Sequence, residues 1–529
     1  MQETYDYVVI GAGSAGCVVA NRLVIAGKRV LLLEHGPKDN HPFIHIPGGF
    51  VKVLGTRHTW KHKTEQEEST GGRSLTIPQG RTLGGSSSLN AMIYIRGQAA
   101  DYDAWEAAGC DGWGYADMLD LFRRSERNLR LAGRYHGTEG NLPVSDPAYR
   151  HPLSYAFLRA AQQAGYVYNH DFNGAEQAGV GFYQATIDGV RRGSMAVSYL
   201  KPVRNNPLLT VRTDCNVTGV VLENGAASGI EYRDRAGMVH SALARAEVVL
   251  CAGAMGSPKL LLQSGIGPGA ELTALGIPVR RDLPGVGENY QDHIAASVYG
   301  VTDRPISLHG HDRGLRALRH GLQYVLTGSG LLTSNVVETG GFIDTSGAGR
   351  PDIQFHVTPA LVGDADRTPM NRHGMSINPC ILRPKSRGKV WLRSRDPDAP
   401  LHIRSGALAE AEDAATLVRG VKAARQILRA PALAKLGFTE LAPSSGDEVS
   451  DADLEAYVRR AAKTVYHPAG TCKMGRDNMS VVDPSLRVIG VGRLRVADAS
   501  IIPSLISGNT NAVCVAIGER CADLLLAQG

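Results

Sequence analysis

Three observations predict an α/β fold with a dinucleotide-binding domain. The chain opens as strand, glycine-rich turn, helix, strand and acid. It runs to 529 residues at 43% hydrophobic composition, too much for one compact unit, so two domains are expected. Farther along, strand-like runs at 211–223, 227–234 and 246–254 stand beside helical patterns at 408–428 and 512–527.

The opening unit carries the most chemistry. Residues 7–10 (YVVI) are apolar and β-branched, and GAGSAG follows them: Gly11, Gly13, Ser14, Ala15 and Gly16 in G-x-G-x-x-G register. Gly11 permits a tight turn, Gly13 lets backbone approach a pyrophosphate, and Gly16 lets helix and strand pack closely. Residues 17–23 continue as a helix whose N-terminus offers free N–H groups to phosphate. A second apolar run, 30–33, ends at Glu34, placed to accept hydrogen bonds from a ribose diol. A structural glycine turn would not require that acid. The N-terminal placement favours FAD over NAD, because a flavin is usually held by a fold assembled from distant segments.

Composition removes several classes. Net charge is +6 with no basic block, so nucleic acid is not an expected partner. No apolar run approaches the ~20 residues of a spanning helix, and no secretory signal is legible. Eight scattered cysteines without a C-x-x-C pair suit reduced thiols. A cytoplasmic protein is expected, at most peripheral at the inner face of the membrane. YHPAGTCKMG (466–475) is open on its residues alone: His467 and Cys472 are too few ligands for a metal, a Cys–His nucleophile would need acyl chemistry, and a lone histidine is most often core. No metal is expected.

Further stretches identify a family. GRTLGGSSSLNAMIYIRG (80–97), AGAMGSPKLLLQSGIGP (252–268), PGVGENYQDH (284–293), LRVADASIIP (494–503) and GNTNAVCVAIGE (508–519) stand with the opening unit and YHPAGTCKMG. Together they resemble the glucose–methanol–choline (GMC) flavoprotein oxidoreductases over essentially the whole chain, nearest to bacterial choline, aliphatic alcohol and L-sorbose dehydrogenases. The resemblance implies a Rossmann-like FAD domain built from discontinuous segments, expected at 1–155, 190–305 and 460–529. It also implies a substrate domain with a mostly antiparallel sheet backed by helices, expected at 156–189 and 306–459.

It implies site residues as well. Gly11, Gly13, Gly16 and Glu34 would hold the ADP half of FAD, with backbone at Val217 meeting the adenine. Gly84, Gly85, Ser86, Asn90 and Ala91 would line the other half, the three serines 86–88 packing on pyrophosphate and ribityl oxygens. Asp498 and Ala499 would lie near the ribityl chain, and Asn511, Ala512 and Val513 would begin a helix whose N-terminus faces the pyrimidine ring. Leu89 stands where some relatives carry a histidine bonded to the flavin, so non-covalent FAD is expected. His35 replaces an expected alanine.

The same resemblance makes His467 the general base, Asn511 the group that positions the alcohol, and flavin N5 the hydride acceptor. Trp60, Glu338, Gln354, His356 and Tyr466 are expected to line the substrate pocket. Choline is not favoured, because no aromatic cage is legible. The expected reaction oxidises a primary alcohol, aliphatic or of polyol or sugar type, with electrons passing to a quinone, dye or other carrier. An oxidase using O₂ is the alternative, and a flavin-containing lyase on the same fold a remote one.

Overall fold

Burial of the apolar runs organises the chain around two sheets. A computed structural model describes residues 3–363, 370–444, 446 and 448–527. Glu3–Ile10 lies between Val30–Leu33 and Val239–Leu250, parallel to both. Leu209–Arg212 extends the sheet beyond Val30–Leu33, and Leu494–Val496 runs beside the end of Val239–Leu250. Val30–Leu33 is wholly buried, which is why it reads as a continuous apolar run without alternation. The helix Ser14–Ile25 makes the crossover that parallel neighbours require.

On the other side Ala226–Arg233 and Asn216–Glu223 continue as an antiparallel meander. The expected run 211–223 is therefore two strands. Between them Asp214 takes φ +56°, a left-handed conformation that ends a strand.

The second sheet has the order Thr439–Ala442, Val298–Val301, Gly374–Ile381, Ile353–Thr358, Thr339–Ile343 and Gly179–Phe182, antiparallel throughout. Helices Pro152–Gln163, Ala411–Arg429 and Asp451–Ala461 share its core. The long helix starts at Ala411 rather than 408, because Leu408 has φ +57°.

The expected boundaries at 155, 305 and 460 move. Ile294–Ala295, Val298–Val301 and Lys463–Thr464 all belong to the second sheet, and Pro152–Gln163 packs on it. The first of these strands begins directly after PGVGENYQDH with no turn residue between, so the sequence hid the crossing. Here two stretches run side by side: Ile294 bridges Thr464 and Gln291 bridges Ala469. This pairing brings YHPAGTCKMG against PGVGENYQDH.

The eight cysteines are all free. Among the described residues no helix is long and apolar enough to cross a membrane, and no group of three His, Cys, Asp or Glu could hold a metal.

Candidate active site

A cavity of about 980 Å³ reaches from Gly11, Gly13 and Glu34 to His467 and Asn509, at the upper end of sizes that bury a small-molecule ligand. Its walls show where backbone makes room. A Cβ on Gly11 would lie 2.4 Å from the Cys251 carbonyl oxygen, and one on Gly16 would lie 1.9 Å from that of Gly11. Those two positions are closed by packing, and Gly16 lies outside the cavity lining. A Cβ on Gly13 would meet nothing nearer than 3.9 Å, and one on Gly253 nothing within 4 Å. Gly13 at the start of the first helix and Gly253 at the start of the helix Gly253–Gln263 therefore leave an open floor, where free amides favour a phosphate.

Glu34 lies at the same end, buried, accepting from the backbone N–H of Gly36 (2.8 Å) and Ala12 (3.1 Å). Burial raises its pKa to about 7. Val217 and His35 line this region, and burial lowers the pKa of His35 to about 4.

The N-termini of the first and last helices converge on the cavity beside that of Gly253–Gln263. Asn511 opens the C-terminal helix Asn511–Leu526 and lines the cavity with Thr510. Its Oδ1 accepts from Ser14 Oγ at 2.8 Å, tying that helix start to the first helix. Lower down the helices meet so closely that a Cβ on Gly518 would lie 2.8 Å from the Ala15 carbonyl oxygen. Both positive dipole ends thus face the same space. Ala512 and Val513 are buried beneath it and do not line it.

The loop 84–91 supplies another wall. Gly85, Ser86, Leu89, Asn90 and Ala91 line the cavity, whereas Gly84 does not. Of the three serines only Ser86 faces it. Ser87 Oγ and Ser88 Oγ donate to the carbonyls of Gly84 and Leu83, closing the turn. Asn90 Oδ1 accepts from the buried Arg192 at 2.7 Å. Asp498 is held by three donors, Ser257 Oγ (2.5 Å), Gly253 N (2.8 Å) and Ser500 N (2.8 Å), and lines the cavity with Ala499. Open glycines, a buried carboxylate and converging helix starts form a cradle that fits an FAD-sized dinucleotide.

His467 is fixed on every side. Asp292 accepts its backbone N–H at 2.9 Å, and the preceding Tyr466 takes φ +71°, a costly conformation that orients the next side chain. Burial raises the Asp292 pKa to about 7.

The ring of His467 is set by His293. Nε2 of His293 lies 3.0 and 2.9 Å from the carbonyl oxygens of Leu382 and Ile506. Both are acceptors, so Nε2 carries the proton. Burial lowers the His293 pKa to about 4, which leaves its Nδ1 bare at neutral pH. That Nδ1 lies 2.9 Å from His467 Nδ1, which must therefore be the donor. His467 Nε2 is left with its lone pair, 3.2 Å from Asn509 Nδ2. Burial and the neighbouring His293 and His356 hold the His467 pKa well below its ordinary value.

Several expectations require correction. Asn509, not Asn511, stands beside His467. Side chains two residues apart at a helix start face different ways, and Asn511 is turned to Ser14. Glu338 does not reach the cavity. It is buried and accepts from His151 N (2.6 Å), Ser154 Oγ (2.8 Å) and Ser334 Oγ (2.6 Å). Gln354 is also behind the wall, donating at 3.0 Å to Asn509 Oδ1 and so fixing which way that amide points.

His356, Tyr466 and Trp60 do line the cavity. Trp60 packs on His35 at 4.5 Å between ring centres, beneath Arg81, which ties it to the Glu34 region. Nδ1 of His356 is buried without a hydrogen-bond partner among the described residues. Asp292, His293 and Asn509 had no assigned role in the sequence. The only available signal was two titratable neighbours, Asp-His, closing a stretch already marked by its glycines.

The comparisons agree with this architecture. The GMC oxidoreductase models match residues 5–295 and 384–518. An alcohol dehydrogenase [acceptor] of Pseudomonas putida is 42% identical over 99% of this chain and 96% of its own length. The mitochondrial choline dehydrogenase of Homo sapiens is 42% identical, covering 100% of this chain and 90% of its own. Among solved structures, pyridoxine 4-oxidase from Mesorbium loti superposes with a TM-score of 0.88 at 32% identity, covering 98% of both chains. An R554K variant of Aspergillus oryzae RIB40 formate oxidase superposes with a TM-score of 0.92 at 25% identity, covering 100% and 99%. With both family models matched and relatives similar from end to end, the chain belongs to the GMC oxidoreductases, the FAD flavoproteins of that name.

Proposed function

We propose that this protein oxidises a neutral primary alcohol, aliphatic or of polyol type, to the aldehyde and passes the electrons to a quinone or similar carrier. The observation that carries the reading is the unprotonated Nε2 of His467, which accepts from Asn509 Nδ2 at the wall of a cavity continuous with the dinucleotide cradle. Gly13 and the first-helix amides, Glu34, Gly85, Ser86, Asn90, Ala91, Asp498, Ala499 and the start of the C-terminal helix would hold FAD. The holding is non-covalent, since Leu89 offers no nucleophile. When bound, FAD supplies the electron sink that takes hydride from the alcohol carbon.

The protein's own residues handle the proton. Nε2 of His467 accepts the hydroxyl proton as the hydrogen on carbon departs with its electron pair, so a cationic carbonyl never accumulates. General-base help of this kind contributes roughly 10²–10⁴-fold. His293 Nδ1 keeps the other proton on His467 Nδ1 and stays bonded to it in the imidazolium. Asn509 Nδ2 can donate to the alcohol oxygen and hold it against the base.

Charge supports a neutral substrate. Among the described residues the cavity is lined by three carboxylates, Glu34, Asp398 and Asp498. Each is committed: Glu34 and Asp498 to the donors given above, Asp398 to Asn216 (2.6 Å) and Arg233 (3.2 Å). None of them neighbours His467, and Glu338 is turned away.

An anaerobic panel of 1-alkanols, polyols and choline tests the assignment by flavin bleaching. Neutral alcohols should bleach it. Choline bleaching it faster than every neutral alcohol would overturn the neutral-substrate reading. Reoxidation then separates acceptors: quinone should outpace air at equal concentration, and equal rates with hydrogen peroxide formed would make the protein an oxidase.

A further inference from the structure

The helix Gly314–Thr327 is inverted. It has 14 residues and none is buried. Its inward side carries Ala317, His320, Gly321 and Tyr324, all half-buried. Its outward side carries Leu315 (84% exposed), Leu318 (58%), Leu322 (52%), Val325 (78%) and Leu326 (77%). At about 100° per residue these five fall within an arc of roughly 100°. The helix is pinned by polar contacts, Tyr324 Oη donating to the Val190 carbonyl (2.9 Å) and His311 Nδ1 bonded to His320 Nε2 (2.9 Å). A helix this short is marginal in water by itself, and here none of its leucines is buried in the protein core.

Two further features say what covers the stripe. The first is charge. Arg319 and Arg316 stand along one edge of it, about 20° and 80° beyond Leu326, Arg313 caps the helix, and from Arg313 to Val337 the sequence has no Asp or Glu. An isologous contact with a second copy through this helix would set those arginines against themselves. A surface of anionic headgroups over an apolar interior complements both the arginines and the leucines.

The second is position. Lys52 pairs with Asp312 at 3.4 Å, just ahead of the helix. A Cβ on Gly48 would lie 3.1 Å from Leu332, just beyond the helix end. The turn Pro47–Lys52 thus packs beside the helix, and its Phe50 and Val51 line the cavity with exposed Leu54 and Val362. The apolar edge of the cavity at Phe50 and Val51 therefore lies beside the two ends of the helix.

We propose that Gly314–Thr327 is an interfacial helix that seats this protein on an anionic phospholipid surface, with the cavity mouth at the lipid boundary. The test is flotation of the FAD-loaded protein with vesicles of phosphatidylcholine alone or mixed with phosphatidylglycerol, so it stands or falls apart from the reaction assigned above. The wild type should float with mixed vesicles and much less with neutral ones. L315E/L322E/L326E should lower the partition coefficient by at least about tenfold while leaving dye-coupled turnover of a soluble alcohol unchanged. R316Q/R319Q, which alters no apolar contact, should lower it on the order of tenfold on mixed vesicles only. Wild type that floats with neither vesicle overturns the proposal, as does a triple-Glu variant that floats as well as wild type. A wild-type dimer in sedimentation that the triple-Glu change dissolves, without vesicle binding, would assign the stripe to a second copy instead.

Discussion

Replacing His293 by phenylalanine keeps a flat ring but removes the acceptor that holds the proton on His467 Nδ1. The consequence can be worked from the hydrogen bonds. His467 Nδ1–H would lose its only ring partner, at 2.9 Å, and a buried donor left unsatisfied costs about 1–3 kcal/mol. That penalty falls on the productive tautomer, and the clash of an Nε2–H with Asn509 Nδ2 at 3.2 Å opposes it in part. The penalty is large enough to let the Nε2–H tautomer, which has no lone pair toward the alcohol, compete or prevail. At 1.36 kcal/mol per factor of ten, His293→Phe should lower the rate of alcohol-driven flavin reduction by at most roughly 5- to 160-fold. His293→Asn should recover part of the loss, because Oδ1 can accept near the position of the lost Nδ1.

The assay is anaerobic stopped-flow reduction, normalised to bound flavin. Normalisation matters because the Leu382 and Ile506 carbonyls also lose their donor and the fold is weakened. A His293→Phe protein that holds FAD and reduces it within twofold of wild type would refute the assignment of the tautomer to His293.

His467→Ala should lower flavin reduction by at least about 10²-fold, with FAD still bound by absorbance. Asn509→Ala should cost about 10-fold or more in the reductive rate, whereas Asn511→Ala should act chiefly on FAD affinity, measured by flavin titration of the apoprotein; the opposite pattern would return the positioning role to Asn511. Because the folded-state pKa of His467 lies well below 6.5, the base is unprotonated throughout the neutral range. Protonation of His467 itself should therefore cause no loss of the reductive rate constant as pH falls from 8 to 6, any change near pH 7 belonging to Asp292, and a tenfold loss per pH unit below 6.5 would show a solvated imidazole instead. Acid precipitation should release yellow flavin to the supernatant, and colour retained in the pellet would contradict non-covalent binding at Leu89.

The sequence by itself located the glycine turn with Glu34 and the stretch that carries His467. Gly11, Gly13, Gly16 and Glu34 are local: one strand, one turn and one helix place them, so their spacing along the chain carries their spacing in space. YHPAGTCKMG was similarly legible as a place, with His467 in it. Only the tertiary structure decided what surrounds that histidine. His293 reaches it because the 291–295 stretch pairs with 463–469 across the two sheets, a long-range register that no local pattern encodes.

The choice between Asn509 and Asn511 rests on which way each side chain leaves a helix start, and so on how that helix docks against Ser14. Glu338 looked available as an acid among apolar residues. It is spent on three donors supplied by distant segments, which only folding brings together. The leucines of 314–327 have the period of an amphipathic helix in either case. That they face outward follows from the opposite side, where Ala317 and Gly321 are small and His320 and Tyr324 are tied by hydrogen bonds to His311 and Val190.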